Sequence, residues 1–404
     1  MNQPRVLVVT GGHLCRNPRV VKEADTLARA GYAVTVLGVR NHRPSEVFDE
    51  QIRRDSEFRH LAIDDLDSPG ARLRRLQMSL ARRLARRIGW QSPLAFGPAG
   101  ALLKQAANLS AELTIVHTEG PMWAGWKLLG QGRRVAVDFE DWHAEDLLPA
   151  DRAIRPQRLL VEMEGELMQR AAYTSTTSQA LAEALQARYG GPLPVVVTNS
   201  FPLQPHPRSG PPGEPPRLFW FSQTIGPGRG LEEFVVAWAS TQQPSRLVLL
   251  GEPRRGYKDT LLGLLPPERR SLVEFRPLVP AAELPAVIAQ HDIGLALEVT
   301  TILNRDLTIT NKILQYLDAG LAVVASNTTG QREVLGNTSE AGIIVNTGDS
   351  IAFAHELDRL LANRKMLAVR QQAARRLAET RFCWEQEVPK LLARVSQAIA
   401  GPRP

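Results

Sequence analysis

Residues 311–326 read Asn311-Lys312-Ile313-Leu314-Gln315-Tyr316-Leu317-Asp318-Ala319-Gly320-Leu321-Ala322-Val323-Val324-Ala325-Ser326. Ile313 to Ala319 reads as a helix, and Gly320, which accepts left-handed backbone, stops it. Leu321 to Ser326 is a continuous apolar run, as expected for a strand buried on both faces of a parallel sheet. The segment Thr308-Ile309-Thr310-Asn311-Lys312 opens the helix, and the strand before it, Ile293 to Leu297, ends at Glu298. Strand, polar loop, helix, glycine and strand together form a βαβ unit.

Working outward, the same alternation fills the chain. In the second half, strands are expected at Leu218–Phe221, Arg246–Leu250, Val273–Phe275, Ile293–Leu297, Leu321–Ser326 and Gly342–Val345. In the first half they are expected at Arg5–Thr10, Ala33–Leu37, Leu113–Val116, Val135–Phe139, Tyr173–Thr176 and Pro194–Val197. The first helix is marked by Asn17 as N-cap, Pro18 at the first helical position, an apolar face of Val20, Val21, Ala24, Leu27 and Ala28, and Gly31 as stop. Between Pro202 and Pro216 lie seven prolines with Gly210 and Gly213, a composition that resists helix and central strand. The fold class is therefore α/β, with two doubly wound domains: residues 1–200, a proline-rich linker at 201–216, and residues 217–384. A closing helix from about Glu385 to Ala400, within 385–404, is long enough to pack back across the domain seam onto the first domain.

The 404 residues are 43% hydrophobic, enough for two cores. Two cysteines, Cys15 and Cys383, exclude a disulfide framework. The opening Met1-Asn2-Gln3-Pro4 has no signal-peptide pattern, and no run reaches the roughly 18 apolar residues of a membrane span. The expected location is cytoplasmic, or peripheral at the inner face of the membrane. The net charge of +7 is uneven: seven arginines lie between Arg72 and Arg87, interleaved with Leu73, Leu76, Leu80, Leu84 and Ile88 and followed by Trp90. Residues 72–90 thus read either as a helix docking on an anionic membrane surface or as a domain helix with a solvated arginine face. Nothing in the sequence accompanies the charge with a nucleic-acid recognition motif, so no nucleic-acid partner is expected.

In doubly wound sheets, ligands bind beyond the carboxyl ends of the strands. The first such loop, Gly11-Gly12-His13-Leu14, reads equally as a tight turn or as a ligand contact through Gly12; it lacks the G-x-G-x-x-G of a dinucleotide site. The stronger constellation is Glu298 with Thr310, Asn311 and Lys312. There an uncapped helix N-terminus with a hydroxyl and an ammonium suits a pyrophosphate; alternatively, Thr310 caps the helix and Lys312 is solvated.

The segment Asn311 to Ser326 resembles the donor-site helix and strand of family-4 GT-B glycosyltransferases. Arg19-Val20 through Gly31-Tyr32-Ala33-Val34 resembles that family's first helix and second strand, Val197-Thr198-Asn199-Ser200 the turn ending its N-terminal domain, and Phe382-Cys383-Trp384 the stretch before its closing helix. The resemblance implies the GT-B architecture, two Rossmann-like domains facing a cleft with the C-terminal helix crossing the seam. Two positions depart from the family pattern. The glutamate that grips the donor ribose falls on Gln315, which can hydrogen-bond hydroxyls but carries no charge. The loop Phe221-Ser222-Gln223-Thr224-Ile225-Gly226-Pro227-Gly228-Arg229-Gly230 holds Arg229 but not the usual basic pair, so Lys258, or Arg254 with Arg255, is a candidate for the missing charge.

Donor contacts are thus expected from Gly12, Ser222, Gln223, Arg229, Lys258, Glu298, Thr310, Asn311, Lys312 and Gln315. On the N-terminal side, the resemblance places His117 against the transferred sugar. Asp141 or His143, within Asp138-Phe139-Glu140-Asp141-Trp142-His143-Ala144-Glu145, is a candidate to orient an acceptor hydroxyl or to act as base. No metal and no cofactor beyond the nucleotide-sugar co-substrate is expected, because basic side chains and helix dipoles neutralise the diphosphate in this fold. The implied reaction moves a hexose-type unit from a UDP- or GDP-sugar to a saccharide or lipid-linked acceptor, with retention, in cell-surface polysaccharide or glycoconjugate synthesis. A non-catalytic nucleotide- or glycan-binding scaffold and a nucleotide-sugar epimerase are the alternatives.

Overall fold

The structure, a computed structural model, describes residues 3–148, 151–336 and 340–401. Met1 and Asn2 of the opening tetrapeptide and residues 402–404 of the closing segment lie outside the described residues. The chain divides into two compact units, one of Met1–Val197 with Val388–Pro404 and the other of Thr198–Glu387.

The first unit is built on a parallel sheet of β1 (Arg5–Val9), β2 (Ala33–Arg40), β3 (Arg59–Asp64), β4 (Leu113–His117), β5 (Val135–Phe139), β6 (Thr174–Thr176) and β7 (Val195–Val196). Its strand order is β3-β2-β1-β4-β5-β6-β7. The order reverses between β1 and β4, the switch point where such sheets open to ligands. Val6 to Val9 and Leu113 to Val116 are buried, since helices cover both faces. The helix Pro18–Arg29 begins as its sequence predicts: the Asn17 side chain accepts a hydrogen bond from the Val20 amide at 3.1 Å, and Gly31 takes φ 93° beyond its end. The edge strand β3 was not foreseen. Its sequence, Arg59-His60-Leu61-Ala62-Ile63-Asp64, is half-exposed and carries charged or polar residues at three of six positions, so it gives no apolar run.

The second unit repeats the plan with β8 (Arg217–Ile225), β9 (Arg246–Pro253), β10 (Val273–Arg276), β11 (Ile293–Ala296), β12 (Ala322–Ser326) and β13 (Gly342–Val345), in the order β10-β9-β8-β11-β12-β13. Alternation along β8 and β9 sorts the core. Leu218, Trp220, Leu247 and Leu249 join the cluster with Phe234, Trp238 and Phe353, while Phe219, Val248 and Leu250 join the one with Tyr316, Leu317 and Phe382. The switch point here lies between β8 and β11.

The proline-rich segment is tied to the second unit. Arg208 bonds Asp292 at 2.7 Å, and Asp292 also accepts the Gly213 and Arg217 amides at 2.9 and 2.8 Å. The Gln204 amide donates to Asp318, which Arg375 also holds. Among the described residues no helix is long and apolar enough to cross a membrane.

Candidate active site

In the second unit, several sequence-predicted residues gather where β8 and β11 end. The loop after β8 turns through Gly228 and Gly230, with φ 75° and 72°; a methyl group on Gly230 would lie 3.3 Å from Leu297 Cβ and 3.8 Å from the Glu298 amide. This close approach places Arg229 beside Glu298. Arg229 Nη1 is 3.9 Å from Glu298 Oε1, and Lys312 Nζ is 3.0 Å from the same oxygen. Lys312 also lies over the Trp220 ring, 5.6 Å from its centroid. Glu298 is buried and its amide donates to Ser326 Oγ at 2.9 Å, so the residue is held at its backbone as well as at its carboxylate.

The helix Asn311–Ala319 starts at the same place. Thr310 stands at its N-cap without a side-chain cap bond, which leaves the first amides available to an anion. Buried Thr310 Oγ1 and Gln315 Oε1 have no hydrogen-bond partner among the described residues. Buried polar atoms are normally satisfied, so the orphans at the N-cap and in the second turn are each a candidate ligand contact. Asn311 is exposed at the helix tip. Ser222 and Gln223 sit in an irregularity of β8, which continues to Ile225 instead of ending at Phe221.

The basic groups offered for the missing charge are placed differently from one another. Lys258 is seated over Phe275 of the edge strand β10, 5.0 Å from the ring centroid. Arg254 instead packs on the glycine loop: a methyl group on Gly226 would lie 3.0 Å from its Cδ. Arg305, which no motif singled out, donates to the Gly228 carbonyl at 2.9 Å from the short helix Leu303–Leu307. Its neighbour Asp306 accepts the Thr329 hydroxyl at 2.8 Å, so this helix pins the loops after both β8 and β12.

In the first unit, Gly12 lies beyond β1 with its carbonyl accepting from Val39 at 3.1 Å. Gly11 is the tight position, because a methyl group there would come 2.7 Å from Thr118 Oγ1. Thr118, after β4, has φ 64° and a buried hydroxyl oxygen without a partner among the described residues. Side chains rarely take this backbone, and such strain collects at functional positions. Both residues stand at the β1–β4 switch point.

His117 is fully buried, and both ring nitrogens face carboxylates: Nε2 is 2.7 Å from Glu23 Oε2, and Nδ1 is 2.8 Å from Glu140 Oε1 and 3.4 Å from Asp138. Burial opposes the charged ring, yet Glu23, Glu140 and Asp138 outweigh it and hold the pKa at about 10. The imidazolium therefore has no nitrogen left for a sugar in this arrangement. Arg19, one helical turn before Glu23, pairs with Asp138 and donates to the Val197 carbonyl at 2.8 Å. Against its own burial, Asp138 is kept below the usual carboxylate range by Arg19. His117, Asp138 and Glu140 bring one ligand atom each within 4.8 Å of one another, but these atoms are engaged with Arg19, Asn17 and each other.

His143 is also buried, and burial disfavours its charge; Glu119, Asp146, Asp141 and Glu164 raise its pKa to about 9 nevertheless. Its Nδ1 is 3.6 Å from Asp146, while Nε2 has no partner among the described residues. Arg155, another residue without a sequence signal, ties Glu119 at 3.2 Å, Asp146 at 2.6 Å and the His143 carbonyl at 2.8 Å. Asp141 is half-buried in the same loop. His143 thus presents one N–H donor from a fixed, charged ring.

Residues 215–363 match the family model described as glycosyl transferases group 1. No curated protein sequence matches the chain. Solved structures align along nearly its whole length. Sucrose-phosphate synthase from Thermosynechococcus elongatus has a TM-score of 0.74 at 15% identity, over 98% of this chain and 100% of that one. Anabaena HepE in complex with UDP-glucose has 0.70 at 15% identity, over 97% and 99%. TarM from S. aureus has 0.68 at 7% identity, over 99% of each. At such identities the likeness is one of fold. The architecture is that of GT-B enzymes, and within the second unit residues 215–363 are similar to glycosyl transferases group 1.

Proposed function

We propose that the chain transfers a hexose-type unit from a UDP- or GDP-sugar to a saccharide or lipid-linked acceptor, with retention of configuration. The observation that carries this reading is the pair of orphaned buried atoms, Thr310 Oγ1 and Gln315 Oε1, on the helix whose Lys312 meets Glu298 together with Arg229. Lys312, Arg229 and the amides of the Asn311–Ala319 helix neutralise the diphosphate as it leaves. Gln315 accepts a ribose hydroxyl, and Thr310 takes up a phosphate oxygen. In a retaining transfer the leaving diphosphate oxygen accepts the proton of the incoming hydroxyl, so no protein base is required. His143 Nε2–H orients the acceptor. Uracil is the base to try first, because HepE was solved with UDP-glucose.

The test is release of nucleoside diphosphate from a panel of UDP- and GDP-hexoses, with and without a cell-envelope saccharide fraction. One donor is expected to be consumed when the acceptor fraction is present. Removal of transition-state charge stabilisation in Lys312→Gln lowers that rate by roughly a hundredfold. A donor isomerised without acceptor would identify an epimerase, and binding without consumption of any donor a scaffold; either overturns the proposal.

A further inference from the structure

We infer that the outward face of the helix Ala71–Ile88 docks the first unit on an anionic lipid surface. The leucine spacing in the sequence fits equally a stripe buried in the domain and one facing out, and the structure separates the two. The helix packs on its unit through Ala71, Met78, Ala81 and Ala85. Leu73, Leu76, Leu80 and Ile88 are left 59, 65, 52 and 72% exposed, and Trp90, just past the helix, 42%. The helix is apolar on two faces: three alanines and Met78 are used for packing, and the leucine stripe is not.

The charge has the matching arrangement. No Asp or Glu occurs between Ala71 and Ile88. Arg74, Arg75 and Arg82 are spent on fixing the helix, bonding Asp65, the Asp65 carbonyl and the Ala95 carbonyl. Arg72, Arg83, Arg86 and Arg87 are exposed. Three of these border the stripe at helical spacing, with Arg72 four residues before Leu76, and Arg83 and Arg87 three and seven after Leu80. The turn Arg152–Ile154 packs against the helix and adds Ile154, 40% exposed.

This pattern selects one partner chemistry. A second copy joined face to face would set the arginine rows against each other, since a two-fold interface presents the same patch from both sides. A nucleic acid would satisfy the guanidinium groups and leave four aliphatic side chains without an environment. At an anionic bilayer the guanidinium groups meet headgroup phosphates, the leucines enter the acyl boundary, and the tryptophan sits at the interface.

The test is co-sedimentation of the full chain with vesicles of phosphatidylcholine mixed with phosphatidylglycerol, and with phosphatidylcholine alone. Binding is expected to the mixed vesicles only. It should weaken by at least roughly thirtyfold in Arg83→Glu/Arg87→Glu, which removes and reverses two arginine charges near the surface, and by a similar factor in Leu76→Ser/Leu80→Ser. Melting temperature and circular dichroism should match the wild type in both variants, because the four residues are exposed. Absence of binding to mixed vesicles overturns the inference, as does binding that the leucine variant leaves intact. A lipid-free dimer abolished by the same leucine substitutions, or an RNA oligonucleotide bound in place of vesicles, would also overturn it.

Discussion

His117 sits among three carboxylates with Arg19 close by, in a buried group drawn from the first helix, β4, β5 and the loop after it. Removing a member of such a group leaves its partners charged and unpaired, so it acts as a fastening between elements. Its pH dependence follows from the raised pKa. The folded protein holds the His117 proton up to about pH 10, whereas an unfolded chain releases it near 6.5. The stabilisation from this proton is complete below the unfolded value and disappears as pH rises through the folded one. The unfolding free energy of wild type minus that of His117→Gln should therefore fall by about 1.4 kcal/mol per pH unit across that interval. Urea denaturation at several pH values measures it, and a flat difference would contradict the charged imidazolium. The sequence identified His117 by its place after a strand, but not its role. Glu23 lies 94 residues away along the chain, and spacing does not reveal which carboxylates a fold collects around a ring.

At the scale of elements, β11 and the helix Asn311–Ala319 meet where Gly294 faces Tyr316. A methyl group at Gly294 would stand 2.2 to 2.6 Å from three ring atoms of that buried tyrosine. Gly294→Ala is expected to cost about 2 kcal/mol through overpacking and to shift the helix start that carries Lys312. Because the two residues share one contact, Tyr316→Leu should recover part of the loss, seen as a coupling energy in a double-mutant cycle by urea denaturation. Strictly additive losses would contradict the contact. This helix, its Gly320 stop and β12 were legible because the glycine stop signal and the apolar run after it agree locally. Two elements were not. β3 is a polar edge strand, and β8 continues past Phe221 through an irregularity that periodicity does not register.

Over the whole molecule, the strand and helix alternation disclosed two doubly wound sheets because each buried strand reads as an apolar run bounded by loops. The proline-rich segment was visible as a break. Its fixation to the second unit, through Arg208 and Asp292, was not, because that pair spans 84 residues. The candidate donor residues Thr310, Asn311, Lys312 and Gln315 were legible as a set because they lie on one helix. Arg254 was among the candidates for the missing charge, whereas Arg305 escaped, since it reaches the glycine loop from the short helix Leu303–Leu307. On the proposed function, the second unit holds a nucleoside diphosphate at the N-terminus of the helix Asn311–Ala319. A thermal-shift screen of UDP, GDP, ADP and their sugar conjugates tests it most directly, with wild type and Lys312→Ala each compared with its own ligand-free melting temperature. One nucleotide series is expected to stabilise the wild type, with the shift lost in Lys312→Ala; a shift undiminished by the substitution, or none with any nucleotide, would overturn the donor site.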